Sequence, residues 1–251
     1  PSITKLAPNT PKNHLMTISF IIPARNEAEN IGKTIEAILK QPAELVKEII
    51  VVDNGSADDT VAVASAYPKT RVLKEAVPGT NRARQTGFES ATGDIVAFID
   101  ADNWLPENWS ATAIKYLARK NVSGVSGAYH YRELGWFGGF MTFNIFLVFA
   151  YPIYFFVHYL LGAGGVVLGG NLAAWREKLK QAGGFDTQFK FFGDDVSTGK
   201  RLRKVGRMLF THKLTVYASP RRFKKQGFFM TTFRYFMNFV WVILFNKPFT
   251  K

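Results

Sequence analysis

Short apolar runs alternate with amphipathic stretches through the first hundred residues of the chain. The runs are four or five residues long and rich in isoleucine and valine, which is typical of buried strands. Between the first two runs, Ile31, Ile35 and Ile38 recur at helical spacing behind Asn30, a residue suited to an N-cap. The pattern predicts strands at 18–22 (stopped by Pro23), 49–52, near 71–74 and at 95–99, and helices after Asn30, from Asp58 and Asp59, and over 80–91.

This alternation predicts an α/β fold with a doubly wound, mainly parallel sheet flanked by helices. Such sheets bind ligands in the crevice at the carboxyl ends of their strands. Polar residues stand at those ends here: Arg25, Asn26 and Glu27, then Asp53, then Asp100 and Asp102. Packing a sheet does not require polar residues at these positions, so this edge is the candidate site.

The second half of the chain has a different composition. Residues 134–175 carry no formal charge. A helix is predicted through Leu202 and Val205, and Gly206 ends it. A basic cluster at 221–225 precedes an aromatic segment that runs to the end of the sequence.

Composition narrows the chemistry. The chain of 251 residues has no cysteine, which excludes disulfides, thiolate metal sites and a cysteine nucleophile. Its net charge of +13 indicates an anionic partner, either a nucleic acid, a phosphorylated substrate or an acidic membrane face. The first 17 residues are polar and lack the apolar core of a signal peptide.

The sequence Asp100-Ala-Asp102 places two carboxylates directly after a buried strand. Hard cations such as Mg²⁺ and Mn²⁺ prefer oxygen ligands and often share them with substrate phosphates. A metal between Asp102 and a diphosphate would neutralise charge on a departing nucleotide. The alternative is a loop that carries two solvated carboxylates.

Several motifs in order resemble those of a known family. The segments 20–27, 51–56, 83–87 and 93–102 are similar to the nucleotide-sugar half of glycosyltransferase family 2, and 183–186 and 193–196 to its acceptor half. The resemblance runs from about residue 18 to 222. It implies a GT-A fold, an inverting mechanism, a nucleoside-diphosphate sugar donor (a UDP-sugar in our expectation) and a divalent metal, Mg²⁺ or Mn²⁺.

The resemblance also implies roles for individual residues. Asp102 corresponds to the metal ligand and Asp195 to the catalytic base, with Asp194 in a position usually held by glutamate. Asp53 would read the uracil edge, and Asp100 would contact the ribose or sugar. The residues implied in donor binding are Pro23, Arg25, Glu27, Asp53, Arg84 and Asp100.

The chain departs from the family pattern at two positions. Asn54 replaces a common aspartate and Gln85 a common asparagine, which leaves base and sugar specificity open. Arg221 and Arg222 could hold the donor diphosphate or contact a membrane. Among the histidines, His212 is the one candidate for an accessory metal ligand.

The chemistry of transfer gives these carboxylates separate tasks. A sugar hydroxyl is a poor nucleophile, and a carboxylate within hydrogen-bond reach can take its proton as attack proceeds. Asp195 suits that task and Asp102 suits the metal. The alternative for Asp194 and Asp195 is a helix N-terminus, where acidic residues are favoured without any catalytic role.

Two apolar segments indicate contact with a membrane. Residues 140–161 could span a bilayer by length, but one crossing there would separate Asp102 from Asp195. We therefore expect a re-entrant, interfacial or internally packed segment. The C-terminal residues suit an amphipathic anchor on an anionic face, or alternatively an aromatic helix that covers the core or a dimer contact.

These expectations define a domain plan and a location. Residues 1–17 form a polar leader, 18–222 the catalytic domain, and 223–251 an aromatic membrane-associating segment. The catalytic domain divides into a nucleotide-sugar half (18–132), an apolar insertion (133–165) and an acceptor half (166–222). We expect a cytoplasmic protein peripherally bound to the inner face of the cell membrane, acting on a lipid-linked or envelope-glycan acceptor.

Two other functions remain as alternatives. A sugar-nucleotide nucleotidyltransferase has a related core, but it usually carries a glycine-rich phosphate loop, and residues 23–29 contain no glycine. A nucleic-acid-binding protein would explain the charge, but the basic residues are dispersed and no nucleic-acid motif is present, so we expect no nucleic-acid partner. An inactive relative is disfavoured by Asp100, Asp102 and Asp195.

Overall fold

One eight-stranded sheet organises the computed structural model, which describes residues 15–131, 167–188 and 194–221 and the single residues 227, 230, 234, 237 and 241. The strands are β1 (Ile18–Ala24), β2 (Val46–Asp53), β3 (Thr70–Lys74), β4 (Ile95–Ile99), β5 (Asn103–Trp104), β6 (Val122–His130), β7 (Asn171–Trp175) and β8 (Arg207–Ala218). The helices are α1 (Ile31–Leu39), α2 (Thr60–Ser65), α3 (Thr80–Ser90), α4 (Trp109–Leu117), α5 (Arg176–Gln181) and α6 (Asp194–Val205).

The strand order is β3-β2-β1-β4-β7-β6-β8-β5. The first four strands in this order are parallel, as predicted from the alternation of strands and helices. In the other half β7 runs antiparallel to both β4 and β6, β6 and β8 are parallel, and β5 is antiparallel to β8. The carboxyl ends of β1, β2 and β4 therefore meet at one edge of the sheet.

Helices cover both faces of the parallel half. Phe20 and Ile22 of β1 belong to a core that includes residues of α1 and α4, whereas Ile21 belongs to a second core that includes residues of α3. Burial on both faces explains why the strands read as continuous apolar runs rather than as alternating patterns.

The antiparallel strand β7 brings the later half of the chain to the candidate site. Asn171 at the start of β7 lies opposite Ile99 at the end of β4. The residues immediately before β7 therefore lie beside the residues immediately after β4. This pairing joins the Asp100–Asp102 loop to the segment that begins at Val167.

Three local expectations differ from the structure. Pro23 does not stop β1, which continues to Ala24, because the pairing with β4 ends at Ile21 and Pro23 is paired only with Val52 of β2. Asn30 stands at the N-cap of α1, but its side chain makes no cap bond and instead donates to Glu27 Oε2 at 3.1 Å. The acidic pair predicted to open the second helix directly precedes it, with Asp59 at the N-cap, rather than forming its first residues.

No helix among the described residues is both long and apolar enough to cross a membrane. The segment 140–161 lies outside the described residues, as does nearly all of 223–251. The membrane-interfacial segments and the domain plan therefore stay predictions.

Candidate active site

Arg84 of α3 connects the two halves of the site. Its Nη2 donates to Asp100 Oδ1 at 3.1 Å, and its Nη1 lies 3.9 Å from Asp195 Oδ1. The Arg84 side chain is only 5% exposed, whereas both carboxylates are 36% exposed. A buried guanidinium thus holds two solvent-accessible carboxylates that lie far apart in the sequence.

Two glycines before β7 make this approach possible. A Cβ on Gly169 would lie 2.4 Å from both Arg84 Nη1 and Asp195 Oδ1, and one on Gly170 would lie 2.0 Å from Asp100 Oδ2. Any larger residue would displace the charged groups. The Gly169 N–H also donates to Asp195 Oδ1 at 2.9 Å, which fixes one oxygen of that carboxylate.

Tyr129 at the end of β6 contacts the same group of residues. Its hydroxyl accepts the Gly170 N–H at 3.1 Å and lies 3.5 Å from Asp100 Oδ2. Burial raises the pKa of Tyr129 well above its usual value, and the carboxylates of Asp100 and Asp195 add to the effect. The phenol is therefore protonated and can direct its hydrogen toward Asp100.

The predicted metal ligand Asp102 lies beside a second arginine. Arg221 Nε is 3.1 Å from Asp102 Oδ2, and Arg221 Nη2 donates to Glu27 Oε1. The Glu27 N–H donates to Thr60 Oγ1 at 2.8 Å, which ties the loop after β1 to α2. The structure thus brings Glu27, Asp102 and Arg221 into one cluster.

The chemistry of this cluster fits a cation. Burial, together with the nearby carboxylates of Asp100 and Glu27, raises the pKa of Asp102 to about 6, although Arg221 opposes this effect. Excess negative charge on oxygen ligands is what a hard divalent ion neutralises. Within the described residues no three carboxylate or histidine side chains are arranged to hold a metal, so an ion here would need further ligands such as phosphate oxygens.

The carboxylate predicted to read the base is placed by a turn. Asp53 ends β2, is buried, and accepts the Ser56 N–H through Oδ1 at 3.0 Å. The side chain of the neighbouring Asn54 is hydrogen-bonded to the loop before α3. Its Nδ2 donates to the carbonyls of Glu75 and Val77 at 2.8 and 2.9 Å, and its Oδ1 accepts the Gly79 N–H at 2.7 Å.

The departure at Asn54 therefore has a structural explanation. An aspartate has no N–H to donate, so it could not make the two bonds to backbone carbonyls. The asparagine fixes the loop that leads into the helix carrying Arg84.

The departure from the family pattern at Gln85 also has a structural explanation. Gln85 Oε1 accepts the Phe185 N–H at 2.8 Å, and Gln85 Nε2 donates to Glu89 Oε1 at 2.8 Å. One turn earlier, Asn81 Nδ2 donates to the Asp186 carbonyl at 2.9 Å. Helix α3 thus binds the turn at 183–186 of the acceptor half through Asn81 and Gln85, which lie on either side of Arg84 in the sequence.

The remaining predicted residues are placed as follows. Pro23 lies inside β1, and Arg25 is exposed just after that strand, with no ion pair to another described residue. Asp194 begins α6 but its side chain lies outside the described part, and Arg222 lies outside it altogether. His212 is exposed in β8, where its ring packs against Phe210 at 5.6 Å between centroids.

Sequence reasoning missed Gly169, Gly170 and Tyr129. The signal for the glycines is the pair Gly-Gly directly before the apolar strand β7, which indicates close backbone approach. Tyr129 offered no signal, because the strand that carries it is rich in serine and glycine and does not show a strand pattern.

The arrangement can hold a cation, through which an anionic ligand could bind, beside a reacting alcohol. Asp102, Glu27 and Arg221 form a charged cluster at the carboxyl ends of β1 and β4. Asp195 lies beside Asp100, because both carboxylates contact Arg84, and the Gly169 N–H also holds Asp195. A candidate cation site and a candidate base therefore lie near the carboxyl end of β4.

Comparison with curated proteins finds relatives that share part of the chain. It is 37% identical over 116 residues to Glycosyltransferase AglE of Haloferax volcanii, which is 44% of this chain and 38% of that protein. It is 38% identical over 93 residues to glucosyl-3-phosphoglycerate synthase of Mycolicibacterium smegmatis, which is 34% of this chain and 31% of that protein. The matches therefore span well under half of the length of these relatives.

Solved structures share the fold. The mannosyltransferase PcManGT from Pyrobaculum calidifontis, in complex with GDP-Man and Mn²⁺, superposes with a TM-score of 0.66 and 26% identity over 88% of this chain and 61% of that chain. Glucosyl-3-phosphoglycerate synthase from Mycobacterium tuberculosis, in complex with Mn²⁺, UDP-Glc and phosphoglyceric acid, superposes with a TM-score of 0.59 and 25% identity. This superposition covers 84% of this chain and 75% of that chain. The predicted GT-A type of fold is confirmed.

The family itself is decided by the sequence match. Residues 19–181, well over half of the chain, match the family described as Glycosyl transferase family 2. The predicted membership is confirmed, and the match covers β1 to β7, the glycine pair and the loops that carry Glu27, Asp100 and Asp102, but it ends before Asp195 and Arg221. This chain belongs to glycosyltransferase family 2.

Proposed function

We propose that the chain transfers a sugar, with inversion, from a nucleoside-diphosphate sugar to a hydroxyl acceptor. The observation that carries the proposal is the contact of Arg84 with both Asp100 and Asp195. It joins a carboxylate of the donor half to a carboxylate of the acceptor half through one guanidinium. Transfer of a group requires that the residues that bind donor and acceptor lie close together, whereas binding of a single ligand does not.

Asp195 is the proposed general base. As the acceptor oxygen forms its bond to the anomeric carbon, its proton passes to the Asp195 carboxylate and the bond to the diphosphate breaks. The nucleoside diphosphate leaves with the electron pair of that bond. Because the hydroxyl attacks from the face opposite the leaving group, the anomeric carbon is inverted.

Asp102 is the proposed protein ligand of a divalent cation. When bound, such an ion would neutralise charge on the leaving diphosphate. The raised pKa of Asp102 and the Mn²⁺ in two related structures support this assignment. Glu27 and Arg221, which contact each other, border the same position.

We expect a UDP-sugar as the donor, with Asp53 accepting a hydrogen bond from the base. Asp53 is held at the end of β2 by the Ser56 N–H, next to the loop that Asn54 fixes. One structural relative binds UDP-Glc and another GDP-Man, so a guanine donor is the outcome that would correct this part of the proposal.

We further propose a peripheral membrane location with a lipid-linked or envelope-glycan acceptor. The support is the sequence of the C-terminal segment, in which a basic cluster precedes a segment rich in phenylalanine. Sedimentation with vesicles that contain anionic lipid would support the location. Equal recovery in the supernatant with and without such vesicles would refute it.

A donor screen tests the proposed reaction. Nucleotide release is measured from UDP- and GDP-sugars with Mg²⁺ or Mn²⁺, for the wild type, Asp102→Ala and the control Asp59→Ala, whose exposed carboxylate precedes α2. We expect metal-dependent UDP release that Asp102→Ala largely loses and Asp59→Ala keeps. Pyrophosphate release from UTP and a sugar phosphate would instead indicate a nucleotidyltransferase.

A further inference from the structure

Arg221 lies across two carboxylates that come from different loops of the site. Its Nη2 donates to Glu27 Oε1, and its Nε lies 3.1 Å from Asp102 Oδ2. Glu27 follows β1 and Asp102 follows β4, so one guanidinium closes the gap between two strand ends. Glu27 and Asp102 are only 11% and 19% exposed, so little water is available to replace this partner.

The charges of the cluster indicate that Arg221 occupies a position suited to a metal cation. Asp100 has a separate cation, since Arg84 Nη2 donates to it at 3.1 Å. Glu27 and Asp102 share Arg221, which leaves this pair with more negative than positive charge. A cation is stabilised most strongly between these two carboxylates, and the Arg221 guanidinium occupies this position.

The side chain of Arg221 can leave this place without disturbing the fold. The backbone just before it is anchored by the pairing of Ala218 with Asn103 and by the Ser219 N–H, which donates to the Asp102 carbonyl at 3.2 Å. The Arg221 side chain itself is 48% exposed. Rotation of that side chain breaks two ion pairs and no strand contact.

We propose that Arg221 is an exchangeable counter-ion, which pairs with Glu27 and Asp102 before the donor binds and moves to the donor diphosphate when a divalent cation takes its place. The identity of the diphosphate rests on the proposed function, whereas the exchange at Asp102 does not. A cation alone has to displace an attached guanidinium. With nucleotide present, the displaced guanidinium gains a new anionic partner.

The exchange makes cation and nucleotide binding depend on each other. Because such coupling is reciprocal, nucleotide must raise the affinity for the cation by the factor by which the cation raises the affinity for nucleotide. Arg221 is the residue through which part of this coupling passes. Its removal should tighten the binding of the cation alone and weaken the coupling.

Binding of Mn²⁺ without nucleotide tests the exchange directly. Free Mn²⁺ is measured by its paramagnetic resonance signal with the wild type, Arg221→Gln and Arg119→Gln, a control that removes an exposed arginine placed over the Tyr116 ring. We expect Arg221→Gln to bind Mn²⁺ about tenfold more tightly than the wild type, since a positive charge next to the ion is removed. Arg119→Gln should match the wild type.

Two further variants keep the test decisive. Arg221→Met retains the aliphatic stem and should bind Mn²⁺ as tightly as Arg221→Gln, whereas Arg221→Lys retains the charge and should stay near the wild type. Circular dichroism checks that each variant is folded. If the folded neutral variants bind Mn²⁺ no more tightly than the wild type, or if none binds it, the exchange is refuted.

Repeating the titration with UDP separates this inference from the proposed function. We expect UDP to raise the Mn²⁺ affinity of the wild type more than that of Arg221→Gln. An equal gain in both proteins would refute the transfer of Arg221 to the diphosphate. No effect of UDP or GDP in any variant would count against the proposed donor, while the titration with Mn²⁺ alone still decides whether Arg221 occupies the place of the cation.

Discussion

Arg84 Nη1 lies 3.9 Å from Asp195 Oδ1, across the boundary between the two halves of the sequence. The other terminal nitrogen of the same guanidinium donates to Asp100. Since Arg84 is buried and sits on a helix that also bonds the turn at 183–186, its position is fixed by the fold rather than by its ligands. The relative placement of donor and acceptor carboxylates therefore depends on one side chain.

Replacing Arg84 should damage activity more than stability. Arg84→Lys keeps the charge but loses the fork that reaches two carboxylates, so we expect kcat/KM to fall by about 10². Arg84→Gln removes the guanidinium that both carboxylates contact and should cost about 1–3 kcal/mol of unfolding free energy, since both carboxylates are partly solvated. Steady-state kinetics and urea unfolding measure the two effects. Full activity of Arg84→Lys would show that the fork is not needed.

The glycine pair provides a steric test of the same site. Gly169→Ala and Gly170→Ala each place a methyl group against charged atoms that cannot easily withdraw, so we expect activity to drop by more than about tenfold. Gly32→Ala is the matched control, because its methyl would meet only the tip of the Tyr67 side chain in an exposed helix contact. Activity in the two site variants equal to that of the control would contradict the tight packing.

Asn54→Asp tests the loop before α3. The substitution keeps the shape of the side chain but replaces two donated hydrogen bonds with repulsion between a carboxylate and two carbonyls, at a cost of about 2 kcal/mol. We expect the melting temperature to fall by about 5 °C. Asn121→Asp, at an exposed position with φ of 58°, serves as the control. Equal melting temperatures for the two variants would show that the loop does not depend on Asn54.

Much of the donor half could be predicted from the sequence, because its strands are buried on both faces and its helices carry regular apolar positions. The later strands could not. Strand β6 contains Gly124 and Gly127, and a Cβ on Gly127 would lie 1.6 Å from the Leu214 carbonyl oxygen. Where backbones approach this closely, close contact rather than hydrophobic pattern selects the residues, and a single sequence shows only an irregular segment.

Part of the candidate site, like part of the fold, could be predicted from the sequence. Carboxylates at strand ends were predictable, because position after a buried strand already implies an exposed edge. Arg84 and Arg221 were predicted as donor-binding residues, but their pairing with these carboxylates and the contact of Tyr129 were not, since these contacts join distant segments. Sequence order gives no distance between such residues. The pairing of β7 with β4 and β6 brings Tyr129 to Asp100, and the pairing of β5 with β8 brings Arg221 to Asp102.

A pH-dependent prediction concerns Glu48 of β2, which accepts hydrogen bonds from Thr92 in the loop before β4. Burial tends to raise the pKa of Glu48, but hydrogen bonds from Thr92, Ser19 and Arg71 outweigh it and hold the pKa below the usual value of 4.5. A carboxylate with a lowered pKa stabilises the fold above its unfolded pKa, and this contribution is lost as the pH falls through the folded value.

Glu48→Gln should therefore be less stable than the wild type at neutral pH by about 1 kcal/mol. The difference should shrink as the pH falls below 4.5 and through the lower folded pKa of Glu48, because the wild-type carboxylate is then protonated as well. Urea unfolding at several pH values measures it, with the exposed Glu44→Gln as control. A difference that stays constant from neutral pH far into the acid range would contradict the role of the ionised carboxylate.

The central claim is that Asp195 removes the proton of the attacking hydroxyl, and Asp195→Asn tests it most directly. The amide keeps an oxygen that can accept the Gly169 N–H but cannot accept a proton at neutral pH. The measurement pairs the affinity for UDP in the presence of Mn²⁺ with the single-turnover release of UDP from the UDP-sugar that the donor screen selects. We predict an affinity within about twofold of the wild type and a rate lower by about 10³ or more. A variant that releases UDP at the wild-type rate would contradict the account, because another group would then be the base.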